Sequence, residues 1–84
     1  MKNKHTSRYQ ILGQRIQTER KKFGITQVQL AERIGISKSY ITKIEAANCD
    51  KSFSLEVIFD ICDTLEISVE SLFKNMDKGN FTNE

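Results

Sequence analysis

Between Thr26 and Glu45 the chain spells the start of a helix twice, with only Gly35, Ile36 and Ser37 separating the two. Thr26 with Gln29 three positions later forms a capping box, and Ile25 is placed to staple onto Leu30. The same grammar then repeats. Ser37 caps a second helix, Ile36 can staple onto Ile41, and Gly35 supplies the left-handed residue that ends the first. Two helices of about nine or ten residues joined by so short a link cannot run on end to end, so the second must turn sharply and lean on the first. Ala31 is small where that crossing is tightest, and a larger side chain would push the helices apart. The rest of the chain agrees with this start. It has no proline and four glycines, and its apolar residues fall at helical spacing rather than alternating, which predicts an all-α fold.

Eighty-four residues make one domain, in which only about 60% of the unfolded surface can be buried, so the core has to be continuous. The division expected is a basic, polar arm over 1–6, a folded unit over 7–76 and a polar tail over 77–84. Ser7 is the expected cap of helix 1, which carries Ile11, Leu12, Ile16 and Phe23 on its core side and stops at Gly24. Arg20 lies on that same side. A charge placed there needs a partner, and Glu45 at the end of helix 3 is the obvious one. In the loop 46–53, Asn48 is the residue suited to a left-handed backbone. Helix 4 is expected to start at the Ser54 cap, to be stapled by Phe53 onto Ile58, and to bury Leu55, Ile58, Ile61, Cys62 and Leu65 while Glu56, Asp60 and Asp63 face away. Ser68 caps helix 5. There Leu72 and Phe73 are needed to close the bundle, and Val69 and Met76 are left on the other side of a helix too short to bury both faces. The expectation is therefore a homodimer joined through Val69, Leu72, Phe73 and Met76 of helix 5 and the adjoining end of helix 4.

From about Leu12 to Phe73 these residues resemble the helix-turn-helix domains of the phage repressor and Cro type, also called the xenobiotic response element type, and the small repressors and restriction-modification controller proteins built on them. The resemblance is carried by Gln27, Ala31, Gly35, Ile41 and Ile44 at the family spacing, with Arg20 before them and Glu45 after. It implies a compact five-helix, lambda-repressor-like DNA-binding domain with the helix-turn-helix at helices 2 and 3. It also implies that Arg20 and Glu45 pair across the domain, and that Lys51 and Ser52 in the following loop touch a phosphate. The chain departs from the family pattern at Ala47, where glycine is usual, and at Phe53, where proline is frequent.

Charge supports a polyanionic partner. Residues 1–45 carry ten Lys or Arg against three Glu, a net of +7, and residues 46–84 carry three Lys against eight acids, a net of −5. If helix 3 enters a major groove, the positions its packing residues leave outward are Lys38, Ser39, Thr42 and Lys43, the candidate base readers. Ser37 at the cap, Gln27 at the start of helix 2 and the Tyr40 hydroxyl are placed for phosphates. Arg15, Lys21, Lys22 and Arg33 read as ordinary surface charges. The expected partners are thus a double-stranded DNA operator and a second copy of the chain, and the function a sequence-specific transcription regulator, a repressor or controller. The alternative is an antitoxin or protein-interaction module on the same scaffold, for which apolar residues on the outer face of helix 3 would be expected.

No nucleophile with its base, no facing carboxylate pair, no glycine-rich phosphate loop and no metal-ligand cluster is visible, so neither an enzyme nor a cofactor is expected. Cys49 and Cys62 read as reduced structural thiols. With no apolar run long enough to span a membrane and no apolar centre near the N-terminus, a cytoplasmic protein is expected, without a membrane partner or a small-molecule ligand.

Overall fold

The computed structural model describes residues 4–49 and 52–76. Among these residues five helices follow one another: α1 (Thr6–Phe23), α2 (Gln27–Ile34), α3 (Lys38–Glu45), α4 (Leu55–Leu65) and α5 (Val69–Phe73). The all-α, five-helix expectation holds. Each of α2 to α5 starts at the hydroxyl residue that the sequence nominates. Thr26 accepts from Gln29 N while the Gln29 side chain returns to the Thr26 N–H, and Ser37, Ser54 and Ser68 each accept from the backbone N–H three residues on. Gly24 and Gly35 both stand at positive φ, 89° and 76°, and close the ends of α1 and α2. The two middle helices are each eight residues long, a little shorter than their spacing suggests.

Ile16, Leu30, Ile41, Ile44, Ile58, Ile61, Cys62 and Leu72 form the fully buried centre. α3 packs on α1 and α2, α4 packs on the same two helices, and α5 rests on α1 and α4. Burial, with Asp63 beside it, pushes the Cys62 thiol above its ordinary value, so it stays protonated and unreactive. Both cysteines are buried.

Four local expectations are corrected. Helix α1 starts two residues earlier than the Ser7 cap requires: His5 is the cap residue, with no side-chain capping bond, and its carbonyl takes Arg8 N and Tyr9 N, while Thr6 is already buried. Asn48 does not take up a left-handed backbone. Ala46 leaves α3 in an extended conformation, and Cys49 N then bonds Ala46 O across a turn, so no positive φ is needed there. Leu55 is 63% exposed, because Phe53, just ahead of the cap, fills the place over the core and meets Tyr9 edge-on with ring centroids 5.0 Å apart. Met76 is buried at 8% exposure rather than facing outward. The helix ends at Phe73, Lys74 is extended, and Asn75 at φ 58° turns the chain back so that Met76 enters the core. The rest of the proposed arm and tail, residues 1–3 and 77–84, lies outside the described residues.

Candidate nucleic-acid interface

The packing of α3 decides which of its residues are available. Ile41 and Ile44 are buried against α1 and α2, and the helical period then turns Lys38, Ser39, Thr42 and Lys43 outward, all of them exposed. Ser37 is exposed at the cap and Tyr40 is half-buried against the core. Ser52 is exposed, and Lys51 lies outside the described residues. The surface of α3 away from the core is therefore wholly polar, with a cation at each end.

Behind that surface lies a buried polar assembly centred on Glu45. The Arg20 guanidinium grips the carboxylate with two bonds, Nε to Oε2 at 2.8 Å and Nη2 to Oε1 at 2.9 Å, and its Nη1 donates to the Ile25 carbonyl at 2.8 Å. Arg20 is 7% exposed and Glu45 2%. Two charges so far from water persist because the fork matches the carboxylate and the remaining donor has a carbonyl. The hydrogen bond to Glu45 outweighs burial and raises the Arg20 pKa, so the guanidinium keeps its proton. Gln27 completes the set. Its amide nitrogen donates to Glu45 Oε1 at 3.0 Å and its oxygen accepts from the Thr42 hydroxyl at 3.1 Å, which also reaches the Lys38 carbonyl at 3.0 Å.

Gln27 thus has a structural task alongside any phosphate contact, a double role that its position at the start of a helix does not reveal. Arg15 also differs from a plain surface charge: it is half-buried and Nη1 donates to the Leu72 carbonyl at 2.8 Å, closing the end of α5. Two further residues escaped the sequence reading. Gly13 lies so close to the Ile44 carbonyl that a Cβ would collide with it, and Gln14 Nε2 donates to the Glu45 carbonyl at 2.7 Å. A glycine in the middle of an otherwise good helix was the available signal for the first.

The residues named for pairing with a second copy are divided by the structure. Leu72 and Met76 belong to the core, Phe73 is half-buried, and Val69 is exposed at 38%. Among the described residues the large apolar groups facing outward are instead Leu55 and Phe59 on α4, the latter 45% exposed, together with Val69 and with Val28 on α2. An open groove of about 670 Å³ runs between α1 and the end of α5, lined by Ile11, Gln14, Arg15 and Leu72 among others and by no residue of α2 or α3. No helix among the described residues is long and apolar enough to cross a membrane.

A family model described as Helix-turn-helix matches residues 16–72, most of the chain, a span that holds α2, α3 and the Arg20–Glu45 contact. The HTH-type transcriptional regulator SinR of Bacillus licheniformis is 32% identical over 71 residues, which cover 84% of this chain and 63% of that protein. SinR of Bacillus subtilis is 36% identical over 62 residues, 74% of this chain and 55% of that one. The chain thus spans about three fifths of the length of these relatives. Among solved structures, the restriction-modification controller protein C.AhdI from Aeromonas hydrophila superposes with a TM-score of 0.75 at 28% identity, over 84% of this chain and 100% of that one. The clp gene regulator ClgR from C. glutamicum gives 0.75 at 25% identity over 89% and 92% of the two chains. With the capped helical pair, the buried Arg20–Glu45 contact and the matched span in agreement, the chain belongs to the helix-turn-helix family of the phage repressor and Cro type, a family of DNA-binding transcription regulators.

Proposed function

We propose that the chain is a sequence-specific regulator of transcription, a repressor or controller, that reads double-stranded DNA with α3 and binds a two-fold symmetric operator as a homodimer. The observation that carries this reading is the outer face of α3: Lys38, Ser39, Thr42 and Lys43 are all exposed and polar, on a helix whose inner face is anchored by buried isoleucines and Glu45. Lys43 has the reach for guanine acceptors. The single Thr42 hydroxyl proton is shared between the Gln27 side-chain oxygen and the Lys38 carbonyl, so it has none to donate to a base, and the methyl is suited to thymine. Ser37 and Ser39 are small enough to let the start of α3 approach the duplex, and Gln27, Ser37, Tyr40, Lys51 and Ser52 are the phosphate contacts. The relatives that are named as transcriptional regulators support the same class. Leu55, Phe59 and Val69 supply apolar surface for a second copy, which would set two α3 helices about 34 Å apart in successive grooves.

Selection of bound duplexes from a random pool tests this directly, since it yields both the preferred bases and the half-site spacing. Binding to the selected site should then fall by about three to five powers of ten between 50 and 200 mM salt, as expected for six to ten phosphate contacts. A salt-independent affinity, or a pool without enrichment, would remove the nucleic-acid reading.

A further inference from the structure

Helix α3 has two turns, and its final carbonyls have no donor within the helix. Ala46 N serves the Lys43 carbonyl, and the next two carbonyls, of Ile44 and Glu45, are met by α1. Gly13 lets the backbone of α1 close directly on the Ile44 carbonyl, and Gln14 beside it donates its amide to the Glu45 carbonyl at 2.7 Å. Arg20 and Gln27 also hold Glu45, but they hold its carboxylate, which has side-chain torsions between it and the helix axis. Gln14 holds the main chain itself. The other end of α3 is joined to α2 by the short turn through Gly35 and Ser37, the point about which α3 would tilt.

From this we infer that Gln14, seated by Gly13, is a positioning residue for base reading, which fixes the tilt of α3 from α1 without touching DNA itself. The lever is short but sufficient. Lys43 lies about 9 Å along α3 from Ser37 at 1.5 Å per residue, so a rocking of about 10° displaces it by roughly 1.5 Å, enough to take a side-chain hydrogen bond to a base outside its range. Phosphate contacts are made by flexible side chains and by charge, and they tolerate such a shift. The Gln14 bond therefore supports discrimination between sequences more than overall affinity. This inference rests on the proposed reading of DNA by α3.

The test compares affinities for a selected site and for a random duplex in wild type, Gln14→Leu, Gln14→Glu and Gln14→Lys, with the melting temperature of each. Leucine removes the donor, glutamate has the same shape but only acceptors, and lysine restores a donor of similar reach. Added charge alters both duplexes alike and cancels in the ratio. The expected result is a specificity ratio lower by about tenfold for Gln14→Leu and Gln14→Glu, the scale of one lost base contact, with recovery to within about twofold for Gln14→Lys and little change in melting. An unchanged ratio overturns the inference, as does an equal weakening on both duplexes, which would make Gln14 a phosphate contact. So does failure of lysine to restore the ratio. If wild type itself shows no preference, the DNA reading falls and takes this inference with it. Amide hydrogen exchange of the free protein separates the two: faster exchange at 44–46 in Gln14→Leu, with α4 unchanged, supports the clamp whatever the chain binds, and unchanged exchange there removes it.

Discussion

At Glu45 a single carboxylate serves three helices, since it receives Arg20 of α1 and Gln27 of α2 while sitting at the end of α3. Arg20→Met should destabilise the fold by about 3–5 kcal/mol, because it strands a carboxylate that is 2% exposed. Adding Glu45→Leu should restore much of that loss but not all of it. The Ile25 carbonyl and the Gln27 amide are then without partners, each at a cost of about 1–3 kcal/mol where buried, which caps the recovery. Chemical denaturation of the two single variants and the double variant checks the cycle, and an Arg20→Met protein that unfolds like wild type would refute it. Lys43 makes the opposite case, exposed and bound to nothing that stability depends on. Lys43→Ala should leave melting unchanged and relax preference at one operator position by about 1–3 kcal/mol, measured by competition between single-base variants of the selected site.

Between elements, the closest approach is that of α1 to α3 at Gly13. Two effects oppose each other in Gly13→Ala. Alanine favours an exposed helix interior by about 1 kcal/mol, but here its Cβ must displace the Ile44 backbone, and overpacking of that kind costs about 1–3 kcal/mol or more. Because the obstructing atom is a main-chain carbonyl rather than the end of a flexible side chain, the clash should win, with a net loss of about 1–2 kcal/mol in thermal or denaturant unfolding. A stabilised Gly13→Ala protein would mean that α1 and α3 can separate at little cost. The ends of the helices are set more locally. Caps at Thr26, Ser37, Ser54 and Ser68 each answer to a hydroxyl next to its own helix, so they do not depend on how the helices pack.

For the whole molecule, the open question of association turns on which apolar groups remain after the core has closed. Leu72 and Met76 are inside it, and what is left among the described residues of the second half is Leu55 and Phe59, four positions apart on one face of α4, with Val69 on α5. Sedimentation near micromolar concentration should show a dimer in wild type and a monomer in Phe59→Glu and Val69→Glu, since a charge buried at a two-fold contact meets its own copy. Met76→Glu, by contrast, should lower stability rather than association, because it puts a carboxylate into the core. A dimer that tolerates both Phe59→Glu and Val69→Glu would place the contact on another surface.

The features legible in the sequence are those set by neighbours along the chain. The capping hydroxyls of α2 to α5, the left-handed Gly24 and Gly35, and the inner stripe through Ile41 and Ile44 all follow from interactions within about four residues, whereas the Ser7 cap expected for α1 gave way to His5. Arg20 and Glu45 were recognisable for another reason, that a charge on an apolar face requires a partner. What only the tertiary structure decided involves residues far apart in the chain. Leu55 has the spacing of a core residue, yet Phe53 occupies that place because Tyr9 of α1 is there to receive it. Met76 keeps the helical phase of Leu72 and Phe73, yet the helix stops and Asn75 turns it inward. Gly13 and Gln14 look unremarkable until α3 is laid across them, because the close approach of two backbones is a property of the packed pair and is written in neither segment alone.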